Sequence, residues 1–244
     1  MAKERIDKLM VELGLADSRT RAQALIMAGV VLVDEKKVEK PSEKFENDAA
    51  IRLKGSALDK YVGRGGLKLE AALVAFAVDP TGFACIDIGS STGGFTDCLL
   101  QHGASRVVAI DAGTNQLVWS LRQDERVEVR EKTNARNLTS GDFEEPFDLA
   151  VMDVSFISVT KVIGPVIELL KPGGKLIVLI KPQFEVGRGE VGKGGIVRDA
   201  EKHERVVAEI HEFATGIGLK AEGLIDSPIL GAEGNKEFLA LYAK

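Results

Sequence analysis

Cysteine, tryptophan and long apolar runs are scarce in this 244-residue chain, and each shortage closes off a class of protein. Two cysteines, Cys85 and Cys98, form no CxxC pair and cannot build a disulfide framework. Both fall in apolar segments and read as small core residues in a reducing compartment. No stretch approaches the roughly 18–20 apolar residues that span a bilayer; Leu176-Ile-Val-Leu-Ile180 has the length of a buried strand. The opening segment, Met1-Ala-Lys-Glu-Arg-Ile-Asp7, holds no apolar signal core, which points to a cytoplasmic location. What remains, 45% hydrophobic and 28% charged residues, is enough to bury an ordinary soluble core.

A net charge of −5 argues against a nucleic-acid binder until the chain is divided. Residues 1–68 carry 14 Lys and Arg against 11 Asp and Glu; residues 69–244 carry 18 against 26. A mildly basic small domain joined to an acidic larger one places any RNA affinity in the first. Its candidate backbone contacts are Arg5, Arg19, Arg21, Lys36 and Lys37, with Arg64 beyond it.

The pattern changes along the chain in the same way. Ile6, Leu9, Met10 and Leu13 lie at helical spacing and Gly14 ends that helix. Asp17 or Ser18 caps a second helix that Gly29 closes. Val30–Val33 and Ala50–Leu53 read as strands, with a turn at Asp34-Glu-Lys-Lys37 and a boundary near Lys54-Gly-Ser56. Residues 1–60 thus form one domain, and 61–81 a linker with a leading helix at Leu67–Phe76. From residue 82 to 244, apolar strands alternate with helices. Strands are predicted at Phe83–Ile88, Val107–Ile110, Val127–Val129, Leu149–Met152, Leu176–Ile180, Ala221–Ile225 and Phe238–Tyr242, with helices near 94–102, 115–121, 158–170 and 199–216. Such alternation predicts an α/β, Rossmann-like, doubly wound and mostly parallel seven-stranded sheet. The last strand follows a segment without helical pattern, so it is expected to run antiparallel.

Ligand chemistry is expected where the strands end. The loop Asp87-Ile-Gly-Ser-Ser-Thr-Gly-Gly-Phe-Thr-Asp97 follows the first strand of this sheet and opens a helix. Its G-x-x-x-G-G spacing differs from the dinucleotide fingerprint G-x-G-x-x-G, which disfavours an NAD oxidoreductase. Gly89, Gly93 and Gly94 permit close backbone approach, Ser90, Ser91, Thr92 and Phe95 complete the loop, and Asp87 can hold the cationic end of S-adenosylmethionine. Asp111, at the end of the second strand, is placed to accept ribose hydroxyls, and Asn134 to read an adenine edge. Either residue fits a loop-capping role equally.

Acceptor chemistry is narrowed by two absences. The fourth strand ends in Asp153-Val-Ser-Phe156, without the Asn/Asp-Pro-Pro-aromatic turn expected for methylation of exocyclic base nitrogens, and no cysteine stands near it for attack on a pyrimidine carbon. Both point to an oxygen acceptor. The fifth strand ends in Lys181-Pro-Gln-Phe-Glu185, and a lysine at a buried strand end is costly unless a carboxylate is near. Asp153 is the expected neighbour. Spacing alone does not bring Lys68 or Glu237 to that pair. Phe156 and Phe184 read as core residues first and as stacking faces second, and no metal-ligand set is assigned.

Four ordered segments, Arg64-Gly-Gly-Leu-Lys-Leu69, the loop at 87–97, Met152-Asp-Val-Ser-Phe-Ile-Ser158 and Ile180-Lys-Pro-Gln-Phe-Glu185, resemble the TlyA family of bacterial ribosomal-RNA 2′-O-methyltransferases, historically also labelled haemolysins. Arg5-Ile-Asp-Lys-Leu9, Gly14-Leu-Ala-Asp-Ser-Arg19 and Ile26–Val33 resemble the RNA-binding domain named for ribosomal protein S-four, and the larger part resembles FtsJ/RrmJ-like ribose methyltransferases. The resemblance implies a class I methyltransferase fold, S-adenosylmethionine as donor, and ribosomal RNA or a ribosomal subunit as partner rather than DNA or a membrane. It also implies a Lys-Asp-Lys-Glu tetrad, falling on Lys68, Asp153, Lys181 and Glu237, and cytidine as the modified nucleotide. Asn134 departs from the acidic adenine-reading residue often found there. The rivals are a membrane-active haemolysin and a non-catalytic ribosome-assembly factor.

Overall fold

In the computed structural model, which describes residues 3–13, 15–16, 18–27, 29–46, 49–53, 60–187, 189–231 and 234–244, the chain divides into two units, Met1–Lys60 and Tyr61–Lys244. The expected helix stop at Gly14, the cap at Asp17 and the boundary at Lys54–Ser56 lie outside the described residues.

In the first unit, β1 (Lys3–Arg5) precedes α1 (Ile6–Glu12) and α2 (Arg19–Met27), followed by β2 (Val31–Val33), β3 (Lys36–Lys37), β4 (Lys44–Glu46) and β5 (Ile51–Leu53). β1 pairs antiparallel with β4, and β2 lies between β3 and β5. β1 and β4 escape sequence reading because three-residue strands carry too little alternation to register. Ile6, Met10, Ala22, Ile26, Val31 and Val33 form the core, and Gly29 closes α2 at φ +72°, where a side chain would be strained.

The second unit opens with α3 (Gly65–Ala75), the leading helix expected at Leu67–Phe76. Its sheet has the order β11-β12-β10-β9-β6-β7-β8. In chain order these are β6 (Ala84–Ile88), β7 (Arg106–Ile110), β8 (Val127–Arg130), β9 (Phe147–Met152), β10 (Leu170–Ile180), β11 (Lys220–Asp226) and β12 (Phe238–Ala243). Five neighbouring strands are parallel, and β12 runs antiparallel between β10 and β11. The expected final antiparallel strand is therefore present.

Alternation along the strands sends side chains to two cores. Ile86, Ile88, Val108 and Ile110 meet α6 (Thr160–Glu168) and α8 (Ala200–Gly216), whereas Cys85, Val107, Leu149 and Val151 meet α3 and α4 (Gly94–Gln101). Cys85 and Cys98 are thiols fully buried in the second of these cores. Helix α5 is shorter than its apolar pattern suggested, Trp119–Arg122, because residues 112–117 form a loop instead. A one-turn helix, α7 (Pro182–Glu185), starts on the proline after Lys181, a placement that fits the fixed φ of proline.

Candidate functional site

Strand register decides which side chains meet at the carboxyl edge of the sheet. Ile88 is level with Met152 and with Ile110, so Gly89, Asp153 and Asp111 emerge side by side; Ile180 is level with Phe238, so Lys181 and Glu237 also reach this edge. The strand order reverses between β6 and β9, the crevice where doubly wound sheets bind ligands. Two adjoining cavities, about 240 and 500 Å³, open there and share Gly89, Ser91 and Asp153. The smaller is lined by Arg64, Lys68, Ser90, Thr92, Gly94, Phe95 and Ile229–Gly231 among others; the larger by Asp111, Gln116, Asn134, Arg136, Ser155 and Phe156.

Asp87 sits at the end of β6, fully buried, and its Oδ2 accepts a 2.6 Å hydrogen bond from the Thr96 hydroxyl. Its Oδ1 is buried without a hydrogen-bond partner among the described residues. Burial pushes this carboxyl up to about 7, and the charges of Asp153 and Asp111 push the same way against the Thr96 bond. Asp87 itself lines neither cavity, although Gly89, two residues on, lines both. An orphaned buried carboxylate oxygen suits a ligand that brings a cation, as the methionine end of S-adenosylmethionine does.

The glycines of the loop are explained as much by packing as by ligand approach. A Cβ on Gly89 would stand 2.3 Å from the Asp153 carbonyl oxygen, and one on Gly93, at φ +103°, would meet Leu121 at 2.3 Å. Gly94 lies against the backbone of Gly63 and Gly66, so the loop and the Arg64-Gly-Gly start of α3 are mated surfaces. Ser90 is nearly buried, Ser91 adopts φ +46°, and Phe95 belongs to the α3–α4 core while touching the smaller cavity.

Asp111 lines the larger cavity, yet its carboxylate is partly used internally: Oδ2 accepts from Ser91 N at 2.8 Å and Oδ1 from Gly113 N at 2.7 Å. Four lone-pair sites leave capacity for ribose hydroxyls. Asn134 also lines this cavity but realises the capping role, with its Oδ1 accepting from Arg136 N at 3.1 Å. Phe156 is not core: it is 91% exposed at φ +64°, with its ring 5.0 Å from that of Phe184.

The four charged residues form two ion pairs. Lys181 Nζ lies 2.5 Å from Asp153 Oδ1 and donates to Ser155 Oγ at 2.9 Å. Lys68 Nζ lies 2.5 Å from Glu237 Oε2, and Gln183 donates to the other Glu237 oxygen at 3.5 Å. Lys68 and Asp153 line the same cavity. Ser155 and Gln183 stand within the motifs noted in the sequence, but nothing in their spacing singled them out. Arg5 and Arg19 in the first unit hold the buried Asp7, Lys36 and Lys37 are exposed on β3, Arg21 is exposed on α2, and Arg64 precedes α3 at the smaller cavity.

Residues 61–244 match the FtsJ-like methyltransferase family, and residues 4–49 match the S4 domain. The chain is 42% identical over 236 residues to the "16S/23S rRNA (cytidine-2'-O)-methyltransferase TlyA" of Mycobacterium tuberculosis, covering 97% of this chain and 88% of that protein. It is equally 42% identical to "Hemolysin A" of Brachyspira hyodysenteriae, with 98% and 99% covered. A solved Streptococcus thermophilus chain, 46% identical, superposes with a TM-score of 0.79 over 100% of this chain and 89% of its own. Solved S-adenosylmethionine-dependent methyltransferases below 25% identity share the fold. Among the described residues no helix is long and apolar enough to cross a membrane. An S4 domain followed by a methyltransferase sheet with its glycine loop and paired lysines places the chain in the TlyA family of FtsJ-like, S-adenosylmethionine-dependent methyltransferases.

Proposed function

We propose that this protein methylates the 2′-oxygen of a cytidine ribose in ribosomal RNA. The observation that carries the reading is the Lys181–Asp153 pair beside a cavity that also receives Lys68. S-adenosylmethionine, when bound, supplies a methyl group on a positively charged sulfur that leaves as a neutral thioether. In this reading Asp87 and the loop 89–95 hold its methionine end, and Asp111 and Asn134 hold the nucleoside. Lys181 Nζ, fixed by Asp153 and Ser155, points the hydroxyl at the methyl, and the hydroxyl proton leaves through the Lys181–Asp153 pair as the carbon–oxygen bond replaces the carbon–sulfur bond. Lys68 and Glu237 fix the wall against which the nucleotide lies. Alignment of this kind supplies much of the rate, up to about 7–11 kcal/mol in ideal cases.

Requirement for a 2′-hydroxyl selects RNA over DNA. The relatives' names support a ribosomal substrate and cytidine, and the exposed Phe156 suits a base withdrawn from its stack. In the small domain, Arg5, Arg19, Arg21, Lys36 and Lys37 provide phosphate contacts. The decisive test is Lys181→Ala with ribosomal RNA from cells lacking the gene. Methyl transfer should fall at least ~100-fold while calorimetric binding of S-adenosylmethionine is retained. Full transfer by the variant, or methyl mapped to a base atom, would overturn the reading.

A further inference from the structure

Glu131, one residue past β8, lies outside both cavities and had no role in the sequence, yet its carboxylate is crowded with donors. Its oxygens accept from the backbone N–H of Asn115 at 2.8 Å, Gln116 at 2.9 Å and Leu117 at 3.5 Å, and from the Arg122 guanidinium. Arg122 returns from α5 to donate through Nε to the Leu117 carbonyl at 2.9 Å. The pair therefore grips residues 115–117 from both sides, mostly out of solvent, with side-chain exposures of 22% and 13%.

What this grip holds is a wall of the larger cavity. Gln116 lines that cavity together with Asp111, and Gly113 leaves the space under the Gln116 side chain, since a Cβ there would stand 3.0 Å from Gln116 Cγ and 3.1 Å from Asp111 Oδ1. The same segment rests on the glycine loop: Val118 N donates to Thr92 O at 3.2 Å, and Leu117 and Leu121 fill the space beside Gly93. A loop of this length has no helix or strand bonds of its own, so its backbone donors must be met from outside. Glu131 meets three in succession.

We infer that Glu131 is a positioning residue for the methyl donor: it clamps the loop 112–117 so that the Gln116 amide faces the donor's nucleoside beside Asp111. The inference rests on the larger cavity holding that nucleoside. Gln116 is then a contact to adenosine, and Glu131 acts only through it and through the shape of the loop.

Calorimetric titration with S-adenosylmethionine and with S-adenosylhomocysteine separates the possibilities. Glu131→Ala should weaken both ligands about tenfold, the loss expected when charge-assisted hydrogen bonds are removed, raising KM and leaving kcat at saturating donor unchanged. Gln116→Ala should weaken both several-fold in the wild-type background and add little in Glu131→Ala, because one change already disables the other. Glu131→Gln keeps only one acceptor for the loop amides and should still weaken both ligands about two- to three-fold, a loss that serves as the readout if Glu131→Ala does not fold. Wild-type affinity in the Glu131 variants, or fully additive effects with Gln116→Ala, would overturn the inference alone. A wild-type protein that binds neither ligand would overturn the cofactor assignment with it.

Discussion

Among the described residues each unit buries one aspartate completely, Asp7 and Asp87, and the two are treated in opposite ways. Asp7, in α1, is met by Arg5 through two bonds of 3.0 Å, by Arg19 at 2.9 Å and by Gln23 at 2.8 Å. The Arg5 bonds above all hold its carboxyl far below the usual range. Asp87 receives a single hydroxyl and keeps one oxygen without a partner, so burial carries it upward to about 7. A protein that intends a buried carboxylate as scaffold supplies the counter-charge itself. Where the counter-charge is withheld, the carboxyl is neutralised by a proton or by a cation from outside, the part that the proposed function gives to S-adenosylmethionine.

The comparison can be broken from either side. Asp7→Ala should cost about 2 kcal/mol in the first unit, since it removes the acceptor of four hydrogen bonds, three of them from guanidinium groups. Hydrogen exchange across residues 3–53 would read this, with S-adenosylmethionine affinity unchanged. An unaltered exchange pattern would mean that Asp7 is not a scaffold. Asp87→Asn should do the reverse, weakening S-adenosylmethionine about 30-fold by calorimetry at little expense in stability.

Acidity sharpens the contrast further. A carboxyl raised to about 7 in the fold destabilises it as pH climbs from the unfolded value near 4 towards 7, so Asp87→Asn should melt no lower than wild type above neutrality. Donor affinity, which needs the carboxylate, should fall by up to about tenfold per pH unit below 7, and this component should vanish in Asp87→Asn. Asp7 is depressed, so its contribution persists above about pH 4 and is lost only as pH falls below that. The smallest effect is expected from Thr96→Val. Loss of one hydrogen bond, about 1 kcal/mol, should move the pH midpoint of donor binding upward without abolishing it. A midpoint that stays in place would show that Thr96 does not tune Asp87.

Much of this was legible in the sequence because the relevant residues sit where apolar runs end. Asp87, Asp111, Asp153 and Lys181 close strands whose alternation is plain, and parallel neighbours bring strand ends together. Lys68 and Glu237 are separated by 169 positions, and their contact requires α3 on one face of the sheet and β12 inside it. No local signal carries that. Asn134 is the converse case: an amide after a strand fits a base reader and a helix cap equally well, and in the fold its Oδ1 accepts from Arg136 N. Phe156 was read as core because aromatic residues usually are, whereas a positive φ turns its ring outward.

The position of β12 has a consequence in time. The strand is synthesised after every other strand of its sheet, yet it lies between β10 and β11 and its first neighbour in the chain is Glu237. Until residues 237–243 leave the ribosome, β10 has an open edge, β11 has no partner, and Lys68 lacks its carboxylate. A nascent chain can form its glycine loop early but not the Lys68–Glu237 pair, so this stretch of the sheet edge is completed only by the last strand rather than built up along the way.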